Sequence, residues 1–345
     1  MALVPALVRS PRIVTATGTV GEMTRIEIFL WNSPDSIPAT AQIVASKPIP
    51  SSTVPTVFYD VSEYAREYIA HSTFVPAVAN TVVPVTEYSY LTAYTYVAGI
   101  QQDKVTTLIC LDGYGYHSEG SNPLLSEILL DEGEYLVSDE GEVGSIAVIN
   151  DGLDTWTVES RPLTSDFPLY TDTLTNSVGT VPYVNLSLRG TGGNRVSVLK
   201  NAVVQKSFTF KEVCEPKYTV HLCDFVNKFG AWQRLTFFKV SKEDFSTTGS
   251  EYKLMPQSVS YDTSENRVKS FNVNGKDSIK LNTGWVNESY SEVIKQLMLS
   301  ETIRIDDVPV NITSKSSPMK KGINDKNINY EVSFMYAFDS INNIQ

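Results

Sequence analysis

Residues Lys217 to Phe245 read KYTVHLCDFVNKFGAWQRLTFFKVSKEDF, and the reading of this stretch decides the fold. Tyr218, Val220 and Leu222 alternate with Thr219, His221 and Cys223 on the way in, and Leu235, Phe237 and Phe238 carry the chain out. Between them, Asn227-Lys228-Phe229-Gly230 offers a turn. Successive strand residues point to opposite faces, and glycine supplies the positive φ of a tight reversal, so the stretch predicts a β-hairpin. Nothing in it has the pattern of catalytic machinery.

Composition extends that reading to the whole chain. Eighteen Tyr, 14 Phe and 4 Trp, set among many Val, Thr and Ser, favour strands over helices. With 42% hydrophobic and 19% charged residues the chain has a globular balance. A length of 345 residues exceeds one comfortable core. The expected architecture is mainly β, with β-sandwich domains and two short helices at about 60–70 and 287–299. Three units are expected: 1–110, 111–212 with a Gly-rich loop and an acidic hairpin, and 213–345 with one helix.

Charge and cysteines exclude several function classes. The net charge is −11, and the acidic excess lies in residues 1–200, with ten basic against twenty-two acidic side chains. Phosphate neutralisation needs Lys and Arg, so direct nucleic-acid binding is not expected. Three cysteines, Cys110, Cys214 and Cys223, cannot form a fully paired framework, which suits a reducing cytosol. The opening MALVPALVRSPRIV lacks a basic n-region, so a signal peptide is not expected, and no apolar run reaches the ~20 residues of a membrane span.

Taken in order, Arg25 to Trp31 alternates Ile26, Ile28 and Leu30 against Glu27, Phe29 and Trp31, as a half-buried strand does. Asp60 and Glu63 have the spacing of a capping box ahead of an apolar stripe of Val61, Tyr64, Ala65 and Tyr68. Tyr88, Tyr90, Tyr94 and Tyr96 share one strand face, which reads either as a cross-strand aromatic ladder or as a subunit interface. Together with Phe229, Trp232, Phe237 and Phe238 they are the candidate interface residues.

Further on, Val184, Leu186 and Leu188 lead through Gly190-Thr-Gly192-Gly193 to Val196 and Val198, a second hairpin pattern. Residues 245–269 are polar and read as a long loop or an irregular strand pair, and Asn274-Gly275 reads as a turn. Tyr290, Val293, Ile294 and Leu297 form the buried stripe of a helix that Ser289 and Glu292 can cap. Ile328 to Phe338 alternates as a long strand.

No chemical constellation emerges. The loop Asp112-Gly-Tyr-Gly-Tyr-His117-Ser-Glu119 holds an acid and an imidazole, but no nucleophile elbow or phosphate loop accompanies them. His221, Cys223 and Cys214 lack a fourth zinc ligand and a Cys-x-x-Cys knuckle. Asp131, Glu132, Glu134, Asp139, Glu140 and Glu142 do not have EF-hand spacing and read as a solvated face. No enzyme, cofactor or metal is expected. A glycan-binding module is the alternative, with Trp31, Trp156, Trp232 and Trp285 as stacking candidates against a default of core packing.

Several stretches carry a resemblance: FVNKFGAWQ with LTFFKVS in the hairpin, Asp60 to Ile69, Asp112-Gly-Tyr-Gly-Tyr116, LNTGWVNESYSEVIKQLMLSE at 281–301, and Ile328 to Ile344. They resemble structural proteins of tailed phages infecting Bacteroidetes, including crAss-like gut phages. The resemblance covers the N-terminal unit and almost all of 214–345, with a weaker middle. It implies a virion component of the tail or neck-to-tail apparatus, synthesised in the host cytoplasm. Its partners would be other tail and neck proteins and further copies of itself in a ring.

Overall fold

A computed structural model describes residues 4–32, 37–50, 53–71, 82–84, 87–105, 107–120, 127–137, 143–150, 154–163, 170–174, 181–187, 192–213, 217–255, 258–314 and 328–341. The fold is mainly β, and its described α-helices are Ser62–Arg66 and Tyr290–Leu299. No helix among the described residues is long and apolar enough to cross a membrane.

In the N-terminal part, one sheet runs in the order Val4–Leu7, Leu108–Leu111, Ser89–Val97, Met23–Trp31, Ile43–Pro48, and Ile13–Thr17 pairs separately with Thr56–Asp60. The alternation of Arg25 to Trp31 is realised: Ile26, Ile28 and Leu30 enter the core between these layers with Val14, Tyr59 and Leu91. In the middle part, Glu134–Val137, Val203–Glu212, Asn194–Lys200, Trp156–Pro162 and Tyr170–Leu174 form a five-stranded sheet. A three-stranded sheet joins Val143–Ala147, Pro182–Ser187 and Val82–Pro84. The C-terminal part is a seven-stranded sheet, ordered Trp232–Phe237, His221–Val226, Ile303–Ile305, Val308–Ile312, Glu331–Tyr336, Val268–Asn282, Lys242–Lys253.

The opening hairpin forms, with a face assignment that differs from the sequence reading. His221, Cys223 and Phe225 turn to the largest core, opposite Phe237, Leu235 and Gln233, while Leu222 is only half-buried and Tyr218 is exposed. Val226 and Trp232, on the other face, enter a second core with Tyr90, Leu111, Ile149 and Tyr183. Both faces are covered near the turn, so alternation cannot mark the inside there: Asp224, on the face opposite Cys223, is as buried as Phe225.

Three other sequence readings are corrected. Residues 124–150 do not make an acidic hairpin: Glu134–Val137 pairs parallel with Val203–Glu212, and Val143–Ala147 pairs with Pro182–Ser187 in a different sheet. Pro182–Ser187 and Asn194–Lys200 likewise separate into different sheets, because each finds a long-range partner on which it buries Val184 or Val196 and Val198. Asn274-Gly275 lies inside the long strand Val268–Asn282 rather than at its turn. Asn274 there bonds the backbone of Ile341 at 3.0 Å through both ends of its amide, and Asn272 takes a φ of 51° at the bulge opposite Gly249.

The C-terminal helix buries Tyr290, Val293, Ile294 and Leu297 as its periodicity requires. Its expected capping box is absent because Glu292 is engaged elsewhere: its Oε1 accepts the Tyr116 hydroxyl at 2.6 Å. At the first helix, Asp60 accepts from the backbone N–H and the hydroxyl of Ser62, at 3.0 and 2.7 Å, in an Asx-type turn. This helix is also shorter than the 60–70 stretch, ending at Arg66.

Buried and exposed phenylalanines should behave differently. Phe225→Ala, at a fully buried position, is expected to cost about 3–5 kcal/mol. Phe245→Ala, at a position 60% exposed, should stay within about 0.5 kcal/mol. Denaturant midpoints of the two variants check this, and equal losses would contradict the burial.

Candidate functional site

The two sequence motifs that carried no chemistry of their own, the hairpin turn and the Asp112–Glu119 loop, are packed against each other. Asn227 builds the turn: its Oδ1 accepts from the N–H groups of Phe229 and Ala231 at 3.0 and 3.3 Å, and its Nδ2 donates to the Leu129 carbonyl at 3.0 Å. Gly230 follows at φ 81°. A Cβ there would lie 2.6 Å from the Asp112 nitrogen, and one on Gly113 would lie 2.5 Å from the Lys228 carbonyl oxygen. Only residues without a side chain allow this approach. The Tyr114 N–H then donates to the Lys228 carbonyl at 2.8 Å.

Beneath this contact runs a chain of charged and polar groups. Trp232 Nε1 donates to Glu87 at 2.5 Å, and His71 bridges Glu87 and Asp112 at 3.1 Å from each ring nitrogen. Arg66 Nε lies 3.4 Å from Asp112, and its other end reaches Glu301, which also pairs with Arg9 at 3.1 Å. Burial would lower the His71 pKa, but the bonds to Asp112 and Glu87 outweigh it and push it up to about 9. The two carboxylates thus favour the protonated imidazole, which clamps them together.

Tyr116 extends the seam to the C-terminal helix, lying under the Lys295 ammonium at 3.5 Å from the ring centre. Burial, reinforced by the bond to Glu292, pushes its hydroxyl pKa well up. Burial likewise raises Tyr114 to about 12.

The candidate interface residues occupy contrasting places. Tyr88 and Tyr90 are buried in the second core, and Tyr90 stacks on Trp31 at 5.6 Å. Tyr94 and Tyr96 are half-exposed: Tyr94 meets Phe29 edge-on at 5.5 Å, and Tyr96 donates to Glu27 at 2.9 Å. Phe229 is half-buried, with the Lys228 ammonium 4.9 Å from its ring centre. Trp232, Phe237 and Phe238 are buried. The tyrosine stripe is thus a ladder against Met23–Trp31, and five of the eight residues are covered by their own chain, not offered to a neighbour.

Other residues singled out in the sequence are placed as follows. Asp112 meets His71 rather than His117, which sits in the exposed 3-10 turn His117–Glu119. His221 Nδ1 lies 2.8 Å from Asp306, Cys223 is buried in the largest core, and Cys214 lies outside the described residues. Asp139, Glu140 and Glu142 also lie outside them. No group of metal-ligating side chains is found among the described residues. Sequence reasoning missed His71, Glu87 and Arg66, whose partners are up to 235 positions away; a lone histidine between unpatterned segments gave no signal.

A two-stranded ribbon stands exposed at the edge of the C-terminal sheet. Lys242–Lys253 pairs with Val268–Asn282 from Lys242↔Lys280 to Lys253↔Val268, and all twelve residues of the outer strand are exposed. Its strands carry Phe245, Tyr252 and Phe271 at 60, 45 and 44% exposure, and Tyr261 between them is 58% exposed. No protein-family model matches the chain, and no curated protein matches it.

Two tests follow from the seam. Between pH 6.5 and about 9 the folded chain holds a proton on His71 that the unfolded chain releases. Stability from this group is complete below 6.5 and should fall by up to about 3 kcal/mol as pH rises through 9. Denaturant midpoints across that window check it, with His71→Gln flattening the slope. Separately, Gly230→Ala should destabilise by more than about 1 kcal/mol, from both its φ and the clash with Asp112; an unchanged melting temperature would contradict the close approach.

Proposed function

We propose that the chain is a structural subunit of a tailed-phage particle, in the tail or neck-to-tail apparatus, and that it acts by assembling with copies of itself and neighbouring virion proteins. The phage origin rests on the sequence resemblance alone. The observation that supports assembly is the ribbon. A two-stranded ribbon is marginal in water by itself, and an uncovered edge strand is a ready template for pairing. Here the outer strand forms the edge of a seven-stranded sheet, and it displays aromatic side chains to solvent.

A heterologous contact, in which one copy's ribbon lies on a different surface of the next, closes into a ring when the rotation per copy allows it. Apolar side chains with interspersed charges suit such a contact, since the ribbon also carries Lys253, Arg267 and Lys269 beside Glu251 and Glu265.

Light scattering of the full chain, alone and mixed with the other proteins of the particle, tests this reading. A variant with 247–275 replaced by Asn-Gly keeps the Ser246↔Lys276 pair as a hairpin closure. The expected result is oligomer for the full chain and a folded monomer, with an intact cooperative melt, for the variant. A full chain that stays monomeric with every candidate partner overturns the proposal.

A further inference from the structure

At the base of the ribbon lies a pocket of about 550 Å³, within the usual range for small-ligand sites. Its wall carries Trp285, 60% exposed, and Tyr218, 40% exposed. Trp156 and Trp232, by contrast, are buried. Trp285 is not loosely placed. Thr283 makes two bonds of 3.0 Å to the Tyr330 backbone, its N–H donating to the carbonyl and its hydroxyl accepting from the N–H. The Val286 N–H donates to the Ile328 carbonyl at 2.8 Å.

Between these anchors Gly284 turns at φ 70°, its N–H held by the Asn282 side chain at 2.8 Å. A Cβ at Gly284 would meet Lys239 at 2.9 Å and the Phe238 ring at 3.0 Å. The fold therefore fixes an indole facing solvent, where its default place is the interior.

The rest of the wall is polar. Asn282 and Glu331 are bonded to each other at 3.4 Å, and Lys280 pairs with Glu331, so these planar groups are oriented beside the indole. Of the three lysines in the lining, Lys280 pairs with Glu331 and Lys242 lies 3.4 Å from Asp244, so Lys239, its ammonium 5.4 Å from the Phe238 ring centre, is the lining cation that neither pair engages. We propose that this pocket binds a saccharide bearing a carboxylate. The C–H face of the sugar ring would stack on Trp285, amide and carboxylate groups would take adjacent hydroxyls, and Lys239 would meet the acid. This proposal is independent of the assembly reading: it uses a pocket beside the ribbon, not the ribbon's aromatics.

The test is binding of the full chain to an array of acidic and neutral glycans, followed by tryptophan-fluorescence titration with oligogalacturonate and sialyllactose as acidic probes and lactose as the neutral one. The expected result is saturable binding of an acidic glycan, weakened about tenfold or more by Trp285→Ala, and weakened by Lys239→Ala for acidic glycans only. Light scattering of Trp285→Ala runs alongside, and its oligomeric state should match the parent. No glycan bound, binding equal in Trp285→Ala, or binding confined to neutral glycans overturns the assignment. Loss of self-association in Trp285→Ala also overturns it, because the occupant would then be a second copy.

Discussion

The close approach of Gly113 and Gly230 is the constraint on which the arrangement of the three sheet regions depends. Asp112 is adjacent to one glycine in sequence, and Trp232 lies two residues beyond the other. The His71 bridge spans Asp112 on the loop and Glu87, which Trp232 holds through its indole N–H. The Trp232 bond to Glu87 therefore ties the hairpin to the bridge. The same hairpin sends Val226 and Trp232 into the second core and Cys223 and Phe225 into the first.

Charge at this seam is balanced rather than avoided. His71 and Arg66 stand against Glu87 and Asp112, and Arg234 holds Asp224 through two bonds of 2.7 Å. Replacing a whole buried pair by apolar groups is often neutral in stability, whereas removing one partner costs about 3–5 kcal/mol. Such groups penalise any packing in which a partner is missing. The hydrophobic cores supply most of the stability, and a register that separated one of these partners would carry that cost.

What the sequence made legible follows from where each signal resides. Local periodicity located the strand at Arg25–Trp31 and the helix at Tyr290–Leu299, because each has one buried face. It failed where both faces are covered, as at Cys223, and where the partner is distant. Val184 and Val196 look like a hairpin only because a glycine run lies between them, yet each pairs with a strand from elsewhere. Asn274-Gly275 has turn chemistry, but Asn274 uses its amide to hold the chain near Ile341, and the strand runs on. The His71 seam had no local signature at all, since its members are drawn together only by the fold.

One strand links the two surfaces that face solvent. Val268–Asn282 begins in the exposed ribbon at Phe271, buries Ile279 and Leu281 in the core, and ends just before Gly284 and Trp285. The pocket lies at the ribbon's base, at Lys242 and Lys280, whereas the outer strand runs on to Lys253, about 35 Å away at ~3.4 Å per residue. A neighbour seated on the far half of the ribbon would leave the pocket open. The buried C-terminal part of the strand joins the ribbon to the sheet whose edge carries the pocket, so both surfaces rest on the same core.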